Sequence, residues 1–466
     1  MIVSIAITTL LLACGTALAS YTAIVGKDAT SDGSVLFFHQ EDLGVNSLQH
    51  VRVVPRQAHD LEENPMVELY WIEIPQVDST YAYVGNYTYD DDAIPGGLSG
   101  GMNEHGVVIG MNVGYPKEPI PEEDGLLWSD FMQIVLERAR TAQEGIEILG
   151  WLTEEYHNTD DPGQMYGVAD PNEGWIFEST PTRWVAKRVE DDGWWVLANR
   201  YTIGTEWDLG SEDIVEFAID NGWYDPAEDA PFHFARVYTR DTFDRRNEWF
   251  PNRPYDYLRE ARSEQFLTDT ARNGGISLED VMTLMRDHYS DTFLYHDPPH
   301  QSPYRNIEIS RTVASLVGHL QNNQPAELGS VLWMTLSPPA TTPYLPFWAG
   351  ATEIAEPLGV GVAYEGIEDF DPASAWWSFN AVRRMAEQDW GTYFPVVEDF
   401  WSSFERRAIA ETRLTQTAAL ELWNQGDEDG ARQLLTDFSS ELAQEAHTEA
   451  HKLREWLHQL GAEFDH

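Results

Sequence analysis

The sequence predicts an α+β fold, in which strand-rich stretches are bracketed by long helices. Patterns of β-branched and aromatic residues typical of strands fill most of residues 20–115 and return over 166–203. Apolar residues at helical spacing appear over 128–155, 372–390 and roughly 400–462. Because the strands and helices come in runs and do not alternate strictly, we expect a sandwich of sheets covered by helices.

Two local signals predict elements in the second half of the chain. Ser277, followed three residues later by Asp280, is typical of an N-cap and predicts that a helix covers 281–286. The apolar run over 331–337 predicts a strand. Near the C-terminus, glycines at 426 and 430 predict a break between two amphipathic helices.

Size and charge exclude several classes of protein. The chain has 466 residues, 42% of them hydrophobic, which is enough apolar material for one large domain or two medium ones. Its formal net charge is −49, with 78 acidic residues against 29 basic ones. Such a surface repels phosphate backbones, so nucleic acid is not an expected partner. After the first twenty residues the chain is too polar for an integral membrane span.

The acidity itself has two interpretations. It suits a protein kept soluble in high salt, where self-repulsion is screened, and it suits a site for cationic substrates. The acidic residues are spread along the whole chain, which favours the first interpretation.

The first nineteen residues predict a signal peptide. Residues 2–13 are an uncharged apolar run, too short to span a bilayer, although no Lys or Arg precedes it. The Ala-Leu-Ala at 17–19 fits a signal-peptidase site, which makes Ser20 the first residue of a secreted or periplasmic protein. The alternative is a lipoprotein box at Cys14, the one cysteine of the chain, but Leu12 fits that box poorly.

Six sequence blocks follow one another between residues 20 and 390. They are 20–34 with Glu41-Asp42, 100–107, 167–178, 188–200, 333 with 343–347, and 374–377. In this order they resemble the dipeptidase (secernin-related) family of N-terminal-nucleophile hydrolases, whose members typically begin Cys-Thr-Thr, Val-Gly-Lys, Asp-Gly-Ser and Arg-x-Glu-Asp. The stretch from Asn103 to Asn112 is also distantly similar to choloylglycine hydrolases and penicillin V acylases.

The resemblance implies a four-layer αββα sandwich and hydrolysis of short peptides. We therefore expect a signal peptide over 1–19, the hydrolase domain over 20–395 and a C-terminal helical extension over 396–466. Ser20 stands where the family usually has Cys, and its hydroxyl would attack the amide carbonyl. Its own α-amine, with an ordinary pKa of about 8, would take the proton.

Five further residues are site candidates on the family pattern. Asp42 lies where the family has an acid near the nucleophile and would hold the α-ammonium. Asn112 and Asn199 match positions that bracket the oxyanion in the related acylases. Two substrate-binding candidates complete the set: Arg236 resembles a family Arg and would bind a peptide carboxylate, and His39 replaces the family's usual Arg.

No metal and no cofactor are expected, since the nucleophile and base belong to one residue. His447 and His451 have metal-ligand spacing on a predicted helix, but no third ligand is evident.

Three functions remain open: a dipeptidase, an N-acyl amide hydrolase, whose lipophilic substrates would suit the 12% aromatic content, and a homologue that lost catalysis with the change from Cys to Ser.

Overall fold

The computed structural model describes residues 20–44, 47–89, 97–159, 163–240, 254–360 and 370–464. The predicted signal peptide and Cys14 lie outside the described residues.

The described strands all belong to antiparallel sheets. They are β1 (Tyr21–Val25), β2 (Val35–Asp42), β3 (Leu48–Val54), β4 (Gln57–Ala58), β5 (Met66–Glu68), β6 (Glu73–Pro75), β7 (Ser79–Thr80), β8 (Tyr83–Tyr89), β9 (Gly97–Asn103), β10 (Val108–Gly114), β11 (Gly163–Ala169), β12 (Gly174–Ser179), β13 (Trp184–Arg188), β14 (Trp194–Leu197), β15 (Leu209–Gly210), β16 (Thr312–Leu320), β17 (Ser330–Thr335) and β18 (Leu345–Trp348).

The helices of the described residues range from single turns to more than thirty residues. They are α1 (Trp128–Arg138), α2 (Ala142–Tyr156), α3 (Ile214–Asp220), α4 (Phe234–Tyr238), α5 (Pro254–Arg272), α6 (Leu278–Leu284), α7 (Ala326–Gly329), α8 (Glu356–Gly359), α9 (Ala375–Gln388), α10 (Trp390–Asn424) and α11 (Glu428–Gln459).

Two large sheets face each other. One has six strands in the order β14-β1-β2-β16-β17-β18, and the other has eight in the order β15-β13-β12-β11-β10-β9-β8-β3. The strands β1 and β2 pack against β10 and β11, so the centres of the two sheets meet. Helices α1 and α2 cover the eight-stranded sheet, and α5, α6 and α11 contact the six-stranded sheet. The result is four layers, which confirms the predicted αββα sandwich.

The long C-terminal helices belong to the same core as the first strand. Trp401 in α10 and Leu435 in α11 are buried in one apolar cluster with Ile24 of β1. The predicted division at residue 395 falls inside α10, which runs without a break through that position. The turn between α10 and α11 contains Gly426 at φ +85°, a conformation that glycine adopts at little cost.

Within the described residues, no helix combines the length and the apolar character that a membrane-spanning segment needs.

Glycines of the eight-stranded sheet allow the six-stranded sheet to approach closely. A Cβ added at Gly110 would lie 2.6 Å from the His39 ring, and one at Gly167 would lie 2.7 Å from the Thr22 methyl group. One at Gly174 would lie 2.3 Å from Ile24. The absence of side chains here is a packing requirement of the interface between the sheets.

Gly110→Ala should therefore destabilise the fold by about 1–3 kcal/mol, because the new methyl group forces the buried His39 ring to move. Urea unfolding measures the free energy. Gly193→Ala is the control, since its Cβ would meet only ordinary contacts, the nearest at 3.6 Å. Equal stability of the two variants would contradict the close approach.

Candidate active site

The second half of β2 is polar and fully buried. His39, Gln40, Glu41 and Asp42 follow four buried apolar residues on the same strand. Buried polar side chains are costly unless they have hydrogen-bond partners. Four such residues in succession on a central strand therefore indicate a functional site at this end of β2.

Ser20 lies beside these residues because β1 and β2 are antiparallel neighbours. Tyr21 pairs with Gln40, which places Ser20 opposite Glu41. The Ser20 Oγ donates a hydrogen bond to Glu41 Oε1 at 3.1 Å, and both side chains are buried. Burial raises the pKa of Glu41 above its ordinary value, because water no longer stabilises the charged carboxylate.

Arg259 of α5 joins three parts of the site. Its Nη1 donates to the Ser20 carbonyl oxygen at 3.0 Å, and its Nη2 donates to Asn199 Oδ1 at 2.9 Å and to Asp256 Oδ1 at 2.6 Å. The side chain is fully buried. Burial disfavours its charge, but the charges of Asp256 and Asp42 outweigh burial and raise the pKa of Arg259.

A second set of contacts links the two sheets at the same place. Thr22 Oγ1 donates to Asn112 Oδ1 and lies 2.8 Å from His39 Nδ1. Since the Thr22 hydrogen is used by Asn112, we assign a proton to His39 Nδ1, which then donates to Thr22. His39 Nε2 lies 3.5 Å from Glu41 Oε2. Among the described residues no hydrogen bond joins His39 to Ser20, and Glu41 approaches both.

The two predicted oxyanion donors differ in what their amide groups can do. The Asn112 nitrogen donates to the carbonyl oxygens of Leu197 and Ala198, both at 2.9 Å, which uses both of its hydrogens. Asn112 is thus placed to hold the end of β14, not to donate to an oxyanion. The Asn199 nitrogen donates one hydrogen to the Val113 carbonyl at 3.2 Å, and within the described part of the chain its other hydrogen is not committed. Asn199 is the better placed donor of the two.

Asp42 is held by the segment that enters β16. Its Oδ1 accepts from Thr312 Oγ1 at 2.6 Å, and its Oδ2 accepts from Arg305. Within the described residues no hydrogen bond joins its carboxylate to Ser20. The structure therefore shows no direct contact behind the predicted role of Asp42, which was to hold the α-ammonium of Ser20. Its carboxylate would act there through its negative charge.

The arginine beside Ser20 is not the predicted one. Arg236 is exposed on α4, a five-residue surface helix, where its backbone N–H faces His233 Nδ1. The guanidinium that contacts the Ser20 carbonyl is that of Arg259, which the sequence reasoning missed. Glu41 was missed as a site residue too, although it lies in the quoted Glu41-Asp42 block.

The structure is thus an αββα sandwich with a buried hydroxyl at the start of a central strand, next to a carboxylate, an amide group and a guanidinium. The model of peptidase family C69 matches residues 19–403, and the chain belongs to this family. It is accordingly a hydrolase of peptide bonds, and the predicted family is confirmed.

Three relatives have names that specify the substrate class. The chain is 25% identical over 439 residues to a probable dipeptidase of Latilactobacillus sakei, covering 87% of this chain and 88% of the relative. It is 26% identical over 374 residues to a probable dipeptidase of Salmonella dublin, covering 73% and 83%. It is 23% identical over 434 residues to dipeptidase A of Lactobacillus helveticus, covering 85% and 86%.

Among solved structures, a mutant of conjugated bile acid hydrolase from Clostridium perfringens aligns with 71% of this chain and 92% of its own, at a TM-score of 0.39 and 15% identity.

Arg259→Met should cost about 3–5 kcal/mol in the free energy of unfolding, because it removes the buried charge that Arg259 places on the Asp256 carboxylate. The control is Arg272→Met in the same helix, where the side chain is 75% exposed and a change within about 0.5 kcal/mol is expected. The double variant R259M/D256N should recover part of the loss. If R259M were as stable as R272M, the buried ion pair would have no structural role.

Proposed function

We propose that the protein is an extracytoplasmic dipeptidase whose nucleophile is the Ser20 hydroxyl, freed as the first residue when the chain is cut after Ala19. The observation that carries the proposal is the position of the Ser20 hydroxyl: buried at the start of β1, on Glu41, with the backbone of the same residue held by Arg259. The family match begins at residue 19, one residue before it. The names of the relatives support dipeptides as substrates.

The first step would be attack of the hydroxyl on the peptide carbonyl. The carboxylate of Glu41 orients the hydroxyl by accepting its hydrogen bond. The α-amine of Ser20 then takes the proton, since its ordinary pKa of about 8 lets it act as a base near neutral pH. A serine depends more on such a base than a cysteine does, because its hydroxyl is a weak nucleophile when protonated.

The negative oxygen that develops on the substrate needs a hydrogen-bond donor. The remaining amide hydrogen of Asn199 is the candidate, since Arg259 fixes the oxygen of the same side chain. One such donor in a buried site lowers the barrier by about 3 kcal/mol. The peptide C–N bond then breaks, and the leaving amine takes the proton from the α-ammonium, so that the acyl group stays on the Ser20 oxygen. Water would attack this ester and give a proton to the α-amine, which returns a proton to the Ser20 oxygen as the acid leaves.

Ser20→Ala should lower kcat for dipeptides by at least about 10³-fold, because no hydroxyl remains to form the acyl-enzyme. The matched control is Ser315→Ala, which removes another buried hydroxyl of the same sheet, one that pairs with the Tyr344 hydroxyl. Rates on a panel of dipeptides and N-acyl amides measure both the loss and the substrate class. Parent activity in S20A would exclude Ser20 as the nucleophile, and preferential cleavage of acyl amides would exclude the dipeptidase assignment.

A mature chain that begins at Ser20 should be at least about 100-fold more active than one that retains Ala19, because an amide nitrogen at Ser20 cannot accept the proton. Mass spectrometry of each purified chain establishes its N-terminus before the assay. Equal activity of the two chains would show that the base is another group.

A further inference from the structure

A buried cluster of histidines and carboxylates lies away from Ser20. His288 follows α6, His300 belongs to a short 3₁₀ turn (Pro299–Gln301), and Glu308 precedes β16. The side chains of His288 and His300 are 7% and 4% exposed, and that of Glu308 is fully buried. None of the three has a part in the peptide hydrolysis proposed above.

The three side chains converge on one point. His300 Nε2 lies 3.3 Å from Glu308 Oε1, and His288 Nε2 lies 3.9 Å from the same oxygen. All three ligand atoms lie within 4.8 Å of one another. Ligand atoms at zinc-bond lengths around a tetrahedral ion are about 3.3 Å apart, so the His288 ring would have to move by up to about 1.5 Å to complete the triangle.

The surroundings of His300 resemble the second shell of a metal site. Its other ring nitrogen, Nδ1, lies 2.6 Å from Glu387 Oε1 of α9, and Glu387 is in turn held by Arg383. A carboxylate on the distal nitrogen of a metal-binding histidine fixes the ring and makes it a better ligand. The Glu308 carboxylate is also held on its other oxygen, because Oε2 accepts a hydrogen bond from the Ala340 backbone N–H at 2.9 Å.

His288 supplies an independent observation. Its Nε2 is buried, points at Glu308 and finds no hydrogen-bond partner among the described residues. A buried ring nitrogen in this situation normally has a partner.

We propose that His288, His300 and Glu308 bind one divalent transition-metal ion, with Zn²⁺ the best match to two imidazole nitrogens and one carboxylate oxygen. The fourth position would be filled by water. The competing occupant is a proton on His300, whose ring lies between the carboxylates of Glu308 and Glu387. A proton satisfies the carboxylates but leaves His288 Nε2 without a partner, whereas a metal satisfies all three ligands.

The metal would have a structural purpose. Arg305 and Thr312, which hold Asp42, flank Glu308 on the same segment. The rings of His288 and His300 also pack against Trp390 at the start of α10. An ion here would cross-link the segment between α6 and β16 within itself, while the contact of His300 with Glu387 joins the segment to α9. The partners of Asp42 would so be kept in place.

The test uses the full-length mature protein, stripped with a chelator and titrated with Zn²⁺ alone. Equilibrium dialysis with elemental analysis should give one tightly bound zinc per chain, and binding should raise the melting temperature. His288→Gln should abolish this binding. Glu387→Gln leaves all three ligands in place and should weaken it by about 10–100-fold. His451→Gln, in the His447/His451 pair of α11, is the matched control and should bind as the parent does.

The visible spectrum of the Co²⁺-loaded parent should show the absorption of a tetrahedral site, a readout that needs no variant and no activity. Zinc binding by the parent no tighter than by a folded H288Q protein would overturn the proposal in favour of a proton-held ion network. Loss of binding in H451Q with retention in H288Q would overturn it in favour of the helical pair.

Discussion

The buried guanidinium of Arg259 is the contact on which the geometry around Ser20 depends. It binds the backbone carbonyl of Ser20, the side chain of Asn199 and the carboxylate of Asp256 at once. A flat, permanently charged group with donors in a fixed fork can do this, whereas a lysine has one point charge on a flexible stem. The start of β1, the side chain of Asn199 and α5 are thereby fixed relative to one another.

The remaining contacts of the site come from bringing two sheets unusually close. Small residues on β10 and β11 let the strands β1 and β2 approach, so that Thr22, which also contacts His39, reaches Asn112 across the interface. Polar groups in such an interface have no water and must pair with each other.

The charged groups of the interior are also paired with each other. The chain as a whole has a formal charge of −49, yet Arg259, Arg286 and Arg305 are placed on buried carboxylates of the six-stranded layer and its helices. An acidic surface self-repels, and salt screens that repulsion, whereas buried pairs are screened much less. The buried ion pairs can therefore persist at salt concentrations that screen the repulsion between the acidic groups of the surface.

The sequence alone determined the fold class, the family and much of the order of elements. Local chemistry was sufficient wherever a feature depends on neighbours in the chain: Ser277 caps α6 with Asp280, as predicted, although the helix begins at Leu278, and the strand predicted at 331–337 is β17 (Ser330–Thr335). The opening sequence block includes Glu41 and Asp42, which the structure places at the end of β2. Only the tertiary structure decided which arginine faces Ser20, that both amide hydrogens of Asn112 are committed, and that His288, His300 and Glu308 meet. These three features depend on contacts between residues up to 239 positions apart in the sequence. The periodicity of a helix or strand shows which of its faces is buried, but not which residues that face is buried against.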